Sequence, residues 1–158
     1  MLLSESILAI RVSRRAIAAA IINGESLALC DGFHLNSRRD RAERSSQRYV
    51  EKLITRMSVK GAMIYSPNTD EGATSAVLRT VQTTLVRAGL PLRLISKQEL
   101  LQAFGFPAVR HWTELRIIAG RFWSELDGIR TQVKPFVIDA AAVGLYAESL
   151  LALIGTTP

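Results

Sequence analysis

The chain has 158 residues, of which 48% are hydrophobic, so it is long enough to form one domain around one substantial core. This composition excludes a disordered protein, and the single Cys30 excludes a disulfide framework and indicates a reducing environment. The formal net charge of +6 favours a phosphate-rich or acidic partner but decides nothing about the fold.

The chain opens with apolar segments that are typical of short antiparallel strands. Residues Ser6–Ile22 form two apolar strands joined by a short polar turn, and Asn23-Gly24 is a two-residue hairpin signal. Ser26–Phe33 supplies the third strand. Three short antiparallel strands are therefore predicted at the start of the chain.

Helices and strands alternate through the rest of the sequence. We predict, in chain order, a helix from about Asp40 to Ser58, a strand over Val59–Tyr65, a helix capped by Asn68 or Thr69 and closed by Gly89, and a strand over Leu90–Ile95. A capping box at Ser96 and Glu99 then starts a short helix that ends near Phe104-Gly105. An amphipathic helix over His111–Leu126 follows, and a mostly apolar helix begins after Pro135.

Two of these helices have predicted inner faces. The second helix has the stripe Val77, Leu78, Val81, Leu85 and Val86. In the helix over His111–Leu126 the candidates are Trp112, Leu115, Ile118, Ala119, Phe122 and Trp123.

No membrane-spanning or exported segment is expected. The longest apolar run, Phe136 to Ile154, is interrupted by polar residues and by a glycine, namely Asp139, Gly144, Glu148 and Ser149. Ser4 and Glu5 interrupt the start of the chain, which therefore does not resemble a signal peptide. A cytoplasmic protein is predicted.

The element order, three strands followed by alternating helices and strands and then by helices alone, predicts an α/β fold. It consists of a mixed five-stranded sheet, with three antiparallel strands followed by parallel crossovers, and helices on both faces. No linker or repeat divides the sequence, so one domain over 1–158 is expected.

Four segments of the chain resemble the RuvC-type Holliday-junction resolvases of the ribonuclease H-like superfamily. They are Ile7–Ser13, Ala62–Pro67, Ile95–Leu101 and Asp139–Leu145. Their order and spacing carry the resemblance, which spans nearly the whole chain and implies the ribonuclease H-like fold.

The resemblance also implies a site in which clustered carboxylates hold two divalent ions beside one phosphodiester. The matching positions are Arg11 on the first strand, Tyr65 or Ser66 after the fourth, and Asp139 and Ala142 on the last helix. Of the four expected acids only Asp139 remains, and a guanidinium at Arg11 would repel a cation. We therefore predict a vestigial site with no metal and no cofactor, in which Arg11 pairs with Asp139.

Arginines dominate the first third of the chain and suggest a nucleic-acid partner, either DNA or RNA. The residues predicted to contact phosphates are Arg14, Arg15, Arg38, Arg39, Arg41, Arg44 and Arg48. With nothing that suggests base-edge readout, selectivity would come from shape. The favoured function is thus a catalytically inactive, nucleic-acid-binding relative of the resolvases.

Two alternatives remain open at this point. The fold could serve as a scaffold for protein–protein assembly, with a homodimer implied by the resemblance, and an exposed stripe of Val77, Val81 and Leu85 would favour it. Alternatively, displaced carboxylates at Asp70 and Glu71 could act with Asp139 in a metal-dependent nuclease.

Overall fold

The computed structural model describes residues 6–24, 26–66, 72–105, 110–131 and 133–155, of which 72–75 and 148–155 are described by their backbone alone. The described strands are β1 (Ser6–Val12), β2 (Ala16–Asn23), β3 (Ser26–His34), β4 (Val59–Tyr65) and β5 (Leu92–Ile95). The described helices are α1 (Arg39–Met57), α2 (Gly72–Arg87), α3 (Lys97–Ala103), α4 (Trp112–Phe122) and α5 (Lys134–Gly155).

The strands form one five-stranded sheet in the order β3-β2-β1-β4-β5. The β1–β2 and β2–β3 pairs are antiparallel, whereas β1–β4 and β4–β5 are parallel. The predicted mixed sheet, with antiparallel hairpins first and parallel crossovers after them, is confirmed.

Side chains alternate across β1 and so divide the core into two layers. Leu8 and Ile10 pack on the face covered by α1 and α2, and Ala9 lies on the opposite face with α3, α4 and α5. Arg11 shares the face of Ala9 by this alternation, which puts its charge beneath α5 rather than in solvent.

Helix α5 packs on the sheet through small residues that face each other across the contact. Ala18 and Ala20 of β2 and Ala140 of α5 are fully buried in this layer. At Gly144 a Cβ atom would lie 2.7 Å from Ile22 Cγ1, so only glycine fits without a shift.

Several element boundaries differ from the predictions. Helix α5 begins at Lys134, so Pro135 lies in its first turn rather than before the helix; proline is tolerated there because its missing N–H would have no helical partner. Strand β5 begins at Leu92 rather than Leu90, because Pro91 has no N–H to donate and only its carbonyl accepts a bond, from Ala62 N at 2.9 Å. Helix α4 ends at Phe122, since Trp123 adopts an extended backbone, and a 3-10 helix follows over Ser124–Gly128.

Two residues predicted to face inward are exposed. Val86 of α2 and Phe122 of α4 are 64% and 51% exposed, whereas the adjacent Leu85 and Trp123 are buried, so the buried face is narrower than predicted. The capping box of α3 is confirmed, with Glu99 N donating to the Ser96 hydroxyl. The predicted caps of α2, Asn68 and Thr69, lie outside the described residues.

None of the helices within the described ranges is both long and apolar enough to cross a bilayer.

Candidate functional site

Arg11 occupies the position on β1 that the resemblance assigns to a metal-binding acid, near the carboxyl end of the strand. Arg11 is the register partner of Tyr65 in the parallel pair with β4. Its side chain is only 13% exposed. The strand order therefore brings Arg11 and Tyr65 together at the same edge of the sheet.

Asp139 of α5 accepts hydrogen bonds from two arginines. Arg11 Nη1 donates to Asp139 Oδ2, which confirms the predicted ion pair. Arg116 of α4 donates to the same carboxylate in a bidentate manner, with Nε 2.7 Å from Oδ1 and Nη2 2.9 Å from Oδ2. The side chain of Asp139 is fully buried, whereas that of Arg116 is 32% exposed. We call these three residues the arginine clamp.

Aromatic rings surround the Arg11 guanidinium. Its central carbon lies 4.1 Å from the ring centre of Trp112, 5.2 Å from that of Phe136 and 5.5 Å from that of Tyr65. Trp112 and Tyr65 also contact each other edge to face, with their ring centres 4.9 Å apart. The negative ring faces stabilise the cation and partly replace the water that burial removes.

Burial governs the protonation of the clamp. It lowers the pKa of Arg11 to about 10, an effect that the nearby Tyr65 opposes and the Arg116 charge reinforces. Burial also lowers the pKa of Arg116 and raises the pKa of Tyr65. A pKa of about 10 for Arg11 still lies well above neutral pH, so the clamp holds two cations and one anion and keeps a surplus positive charge.

The residues at this site do not fit two divalent ions. Both oxygens of Asp139 accept from guanidinium groups, and Ala142 offers no donor atom. Ser66 lies at the end of β4, where its backbone N–H donates to Ile95 O at 2.9 Å. Among the described residues no group of three or more His, Cys, Asp or Glu side chains could hold a metal. Asp70 and Glu71 lie outside the described residues.

Arg116 was missed by the sequence predictions. Arg116 lies one helical turn after Trp112, so the two residues lie on the same side of α4. A charged residue at this spacing was the available signal, but only the packing of α4 on α5 identifies Asp139 as its partner.

The structure brings the first two basic segments together. Arg14 and Arg15 are exposed in the turn between β1 and β2, and they line a groove of about 340 Å³ with Arg39 at the start of α1. A backbone hydrogen bond from Leu35 N to Arg15 O, at 2.8 Å, ties the turn to the segment that leads into α1. We call this the turn groove.

A second basic surface follows the exposed side of α1. Arg41, Arg44 and Arg48, predicted to share a face, line one open groove of about 500 Å³ together with Lys52. We call these four residues the basic stripe. Arg38 is less available to a ligand, because its Nε lies 3.5 Å from Asp40 Oδ1.

The apolar stripe that would have favoured a docking scaffold is buried. Val77, Val81 and Leu85 of α2 are 2%, 0% and 0% exposed, because they pack against the sheet. That observation therefore gives no support to the scaffold alternative.

Comparison with known proteins identifies the fold. The chain matches Thermus thermophilus RuvC in complex with a Holliday junction substrate with a TM-score of 0.76 and 12% identity, covering 96% of this chain and 97% of that one. A second Thermus thermophilus RuvC structure matches with a TM-score of 0.71 and 13% identity over the same shares. The yeast mitochondrial Holliday junction resolvase matches with a TM-score of 0.62 and 8% identity, covering 94% of this chain and 81% of that one.

No family model and no curated protein sequence matches the chain. The sheet order and these structural matches agree that the chain has the ribonuclease H-like fold of the RuvC type.

Proposed function

We propose that this protein binds nucleic acid through phosphate contacts and shape, and that it does not cleave its ligand. The observation that carries the proposal is the turn groove. Arg14 and Arg15 belong to a hairpin and Arg39 to a helix, yet the fold gathers all three around one concave surface. Guanidinium groups bind phosphate oxygens in a bidentate manner, which suits this surface to a phosphate backbone.

The similar structures support the same class of ligand. One of the RuvC structures contains a Holliday junction, and the yeast neighbour is named as a junction resolvase. Among the residues predicted to contact phosphates, Arg14, Arg15, Arg41, Arg44 and Arg48 are all exposed. Arg11 is excluded from this set, because Asp139 and the aromatic rings already occupy its guanidinium.

The arginine clamp supports a binding role without cleavage. Two-ion cleavage needs carboxylates that bridge or flank two cations. In this protein the one carboxylate at the vestigial site is neutralised by Arg11 and Arg116, and the surplus charge of the clamp opposes a divalent cation.

Fluorescence anisotropy of labelled DNA tests the proposal. The protein is titrated into a four-way junction, a duplex and a single strand at several salt concentrations. We expect Arg14→Gln/Arg15→Gln to weaken binding and to reduce the slope of log affinity against log salt by about 2, since each phosphate contact contributes roughly 0.9. The matched control is Arg121→Gln/Arg130→Gln, which removes two exposed arginines outside the turn groove and the basic stripe.

Equal losses in the two variants would show that net charge, rather than the turn groove, determines affinity. If the unaltered protein binds neither these three DNAs nor their RNA counterparts at physiological salt, the proposal is wrong and a protein partner becomes the leading candidate. Cleavage in Mg²⁺ or Mn²⁺ that disappears in Asp139→Ala, while this variant still binds the junction, would instead establish the nuclease alternative.

A further inference from the structure

The groove between α1 and α2 contains two basic residues that the proposed function does not use, Arg79 and Arg87. Arg39 of α1 and Arg79 and Arg87 of α2 line this groove of about 290 Å³. Arg39 also lines the turn groove, so the two concave surfaces meet at that residue. Together they form a basic track that runs from the β1–β2 turn along the contact between the two helices.

The two α2 arginines are available to a ligand. Arg79 and Arg87 are exposed, and neither forms an ion pair with an acid among the described residues. The one acid that lines the groove, Glu43, accepts from Arg39 Nε at 3.3 Å. The groove therefore carries a net positive charge.

Two threonines of the groove already use their hydroxyl protons in hydrogen bonds. Thr80 and Thr84 donate their hydroxyl protons to carbonyls of their own helix, at 3.0 and 2.8 Å. The hydroxyl oxygens of these two threonines can then only accept hydrogen bonds, so they do not attract the oxygens of a phosphate. Anion recognition here thus depends on the arginines and on Thr83, an exposed threonine that also lines the groove.

An acidic ridge separates this track from the basic stripe. Asp40, Glu43 and Glu51 follow one another at spacings of three and eight residues, which places them on one side of α1. Each already has a partner. Arg38 pairs with Asp40, Arg39 pairs with Glu43, and Gln47 donates to Glu51 at 3.0 Å. The acidic ridge therefore offers a phosphate no free hydrogen-bond donor.

We propose that the groove between α1 and α2 is a second phosphate-binding track, and that the ligand is a double-stranded nucleic acid. The inference rests on the proposed function and deepens it. One backbone would contact the basic stripe and the other the groove, with the acidic ridge of α1 between them. A helix is about 10–12 Å across with its side chains, comparable to the 12 Å width of the DNA major groove. A single strand can occupy only one track, because crossing to the other takes it over the ridge.

Two matched variants test this inference against the same probes. Arg79→Gln/Arg87→Gln alters the groove, and Arg44→Gln/Arg48→Gln alters the basic stripe, while Arg121→Gln/Arg130→Gln is the control for net charge. The probes are a DNA duplex, an RNA duplex and the separate strands, measured by anisotropy at several salt concentrations. For the duplex, we expect both variants to lower affinity at least tenfold and to reduce the salt slope by about 2. For a single strand, at most one of the two variants weakens binding.

The results separate this inference from the proposed function. If duplex binding is unchanged in Arg79→Gln/Arg87→Gln, or if both variants weaken the single strand as much as the duplex, the inference is wrong while nucleic-acid binding stands. Binding of single strands alone also overturns it. Absence of binding to every probe overturns the proposed function itself. The fit of α1 to the DNA major groove predicts tighter binding of the DNA duplex than of the RNA duplex, whose major groove is deep and narrow. The reverse preference would overturn the inference.

Discussion

At the residue scale, the arginine clamp compensates one buried carboxylate with two cations that belong to the protein. Asp139 is fully buried, and its charge requires compensation at that depth. Arg11 and Arg116 provide it from two different elements, so the carboxylate joins β1, α4 and α5. The clamp is therefore a structural centre at the place where the resemblance implies a catalytic one.

Removing the carboxylate should destabilise the protein strongly. We expect Asp139→Ala to lower the free energy of unfolding by about 3–5 kcal/mol, since it leaves the Arg11 cation buried without its anion. Adding Arg11→Met should recover a substantial part of this loss, because the charge is then removed together with its partner. Urea denaturation of the two single variants and the double variant measures this. Strictly additive losses would show that the two side chains do not stabilise each other.

At the element scale, the contact between α5 and β2 depends on small side chains. Alanines on both elements let the helix approach the sheet, and Gly144 lies where a Cβ would approach the Ile22 side chain most closely. Close approach brings Asp139 on α5 within reach of Arg11 on β1. The packing of this helix thus determines the geometry of the clamp.

Two glycine substitutions should have opposite effects. Gly144→Ala forces Ile22 or the helix to move, and we expect a loss of about 1–3 kcal/mol from overpacking. At Gly120 of α4 an added Cβ meets no atom within 4 Å, and Gly120→Ala should stabilise the protein by about 0.5–1 kcal/mol through helix propensity. Thermal denaturation of both variants measures the difference. If Gly144→Ala has the thermal stability of the unaltered protein, α5 can shift without a cost in folding free energy.

At the scale of the whole molecule, the sheet has a protected centre and two edges. β1 is hydrogen-bonded to β2 on one side and to β4 on the other. Its faces are covered by α1 and α2 and by α5. β3 and β5 each pair with a single neighbour among the described strands.

Hydrogen exchange should follow this arrangement. We expect the amides of β1, β2 and β4 to exchange only through global unfolding, whereas those of β3 and β5 exchange by smaller openings. Hydrogen–deuterium exchange followed by mass spectrometry resolves these segments. Amide protection in β5 as high as in β1 would contradict the distinction between a protected centre and less stable edges of the sheet.

The sequence alone determined the order of the elements, the hairpin between β2 and β3 and the capping box at Ser96. These features depend on side-chain periodicity and on hydrogen bonds between residues a few positions apart, which are visible in the sequence. Asn23, predicted to lie in the turn, instead ends β2 and pairs with Ser26. The Arg11–Asp139 pair was also predictable, but only because the resemblance placed both residues at one site.

Only the tertiary structure decided how distant segments meet. Arg116 joins Asp139 because α4 packs on α5, and Arg79 joins Arg39 because α2 lies beside α1. Val86 was predicted to be buried but is exposed beside the fully buried Leu85, since periodicity shows a face but not how wide its covered part is. Contacts between elements depend on the complete packing of the core, which no local pattern encodes.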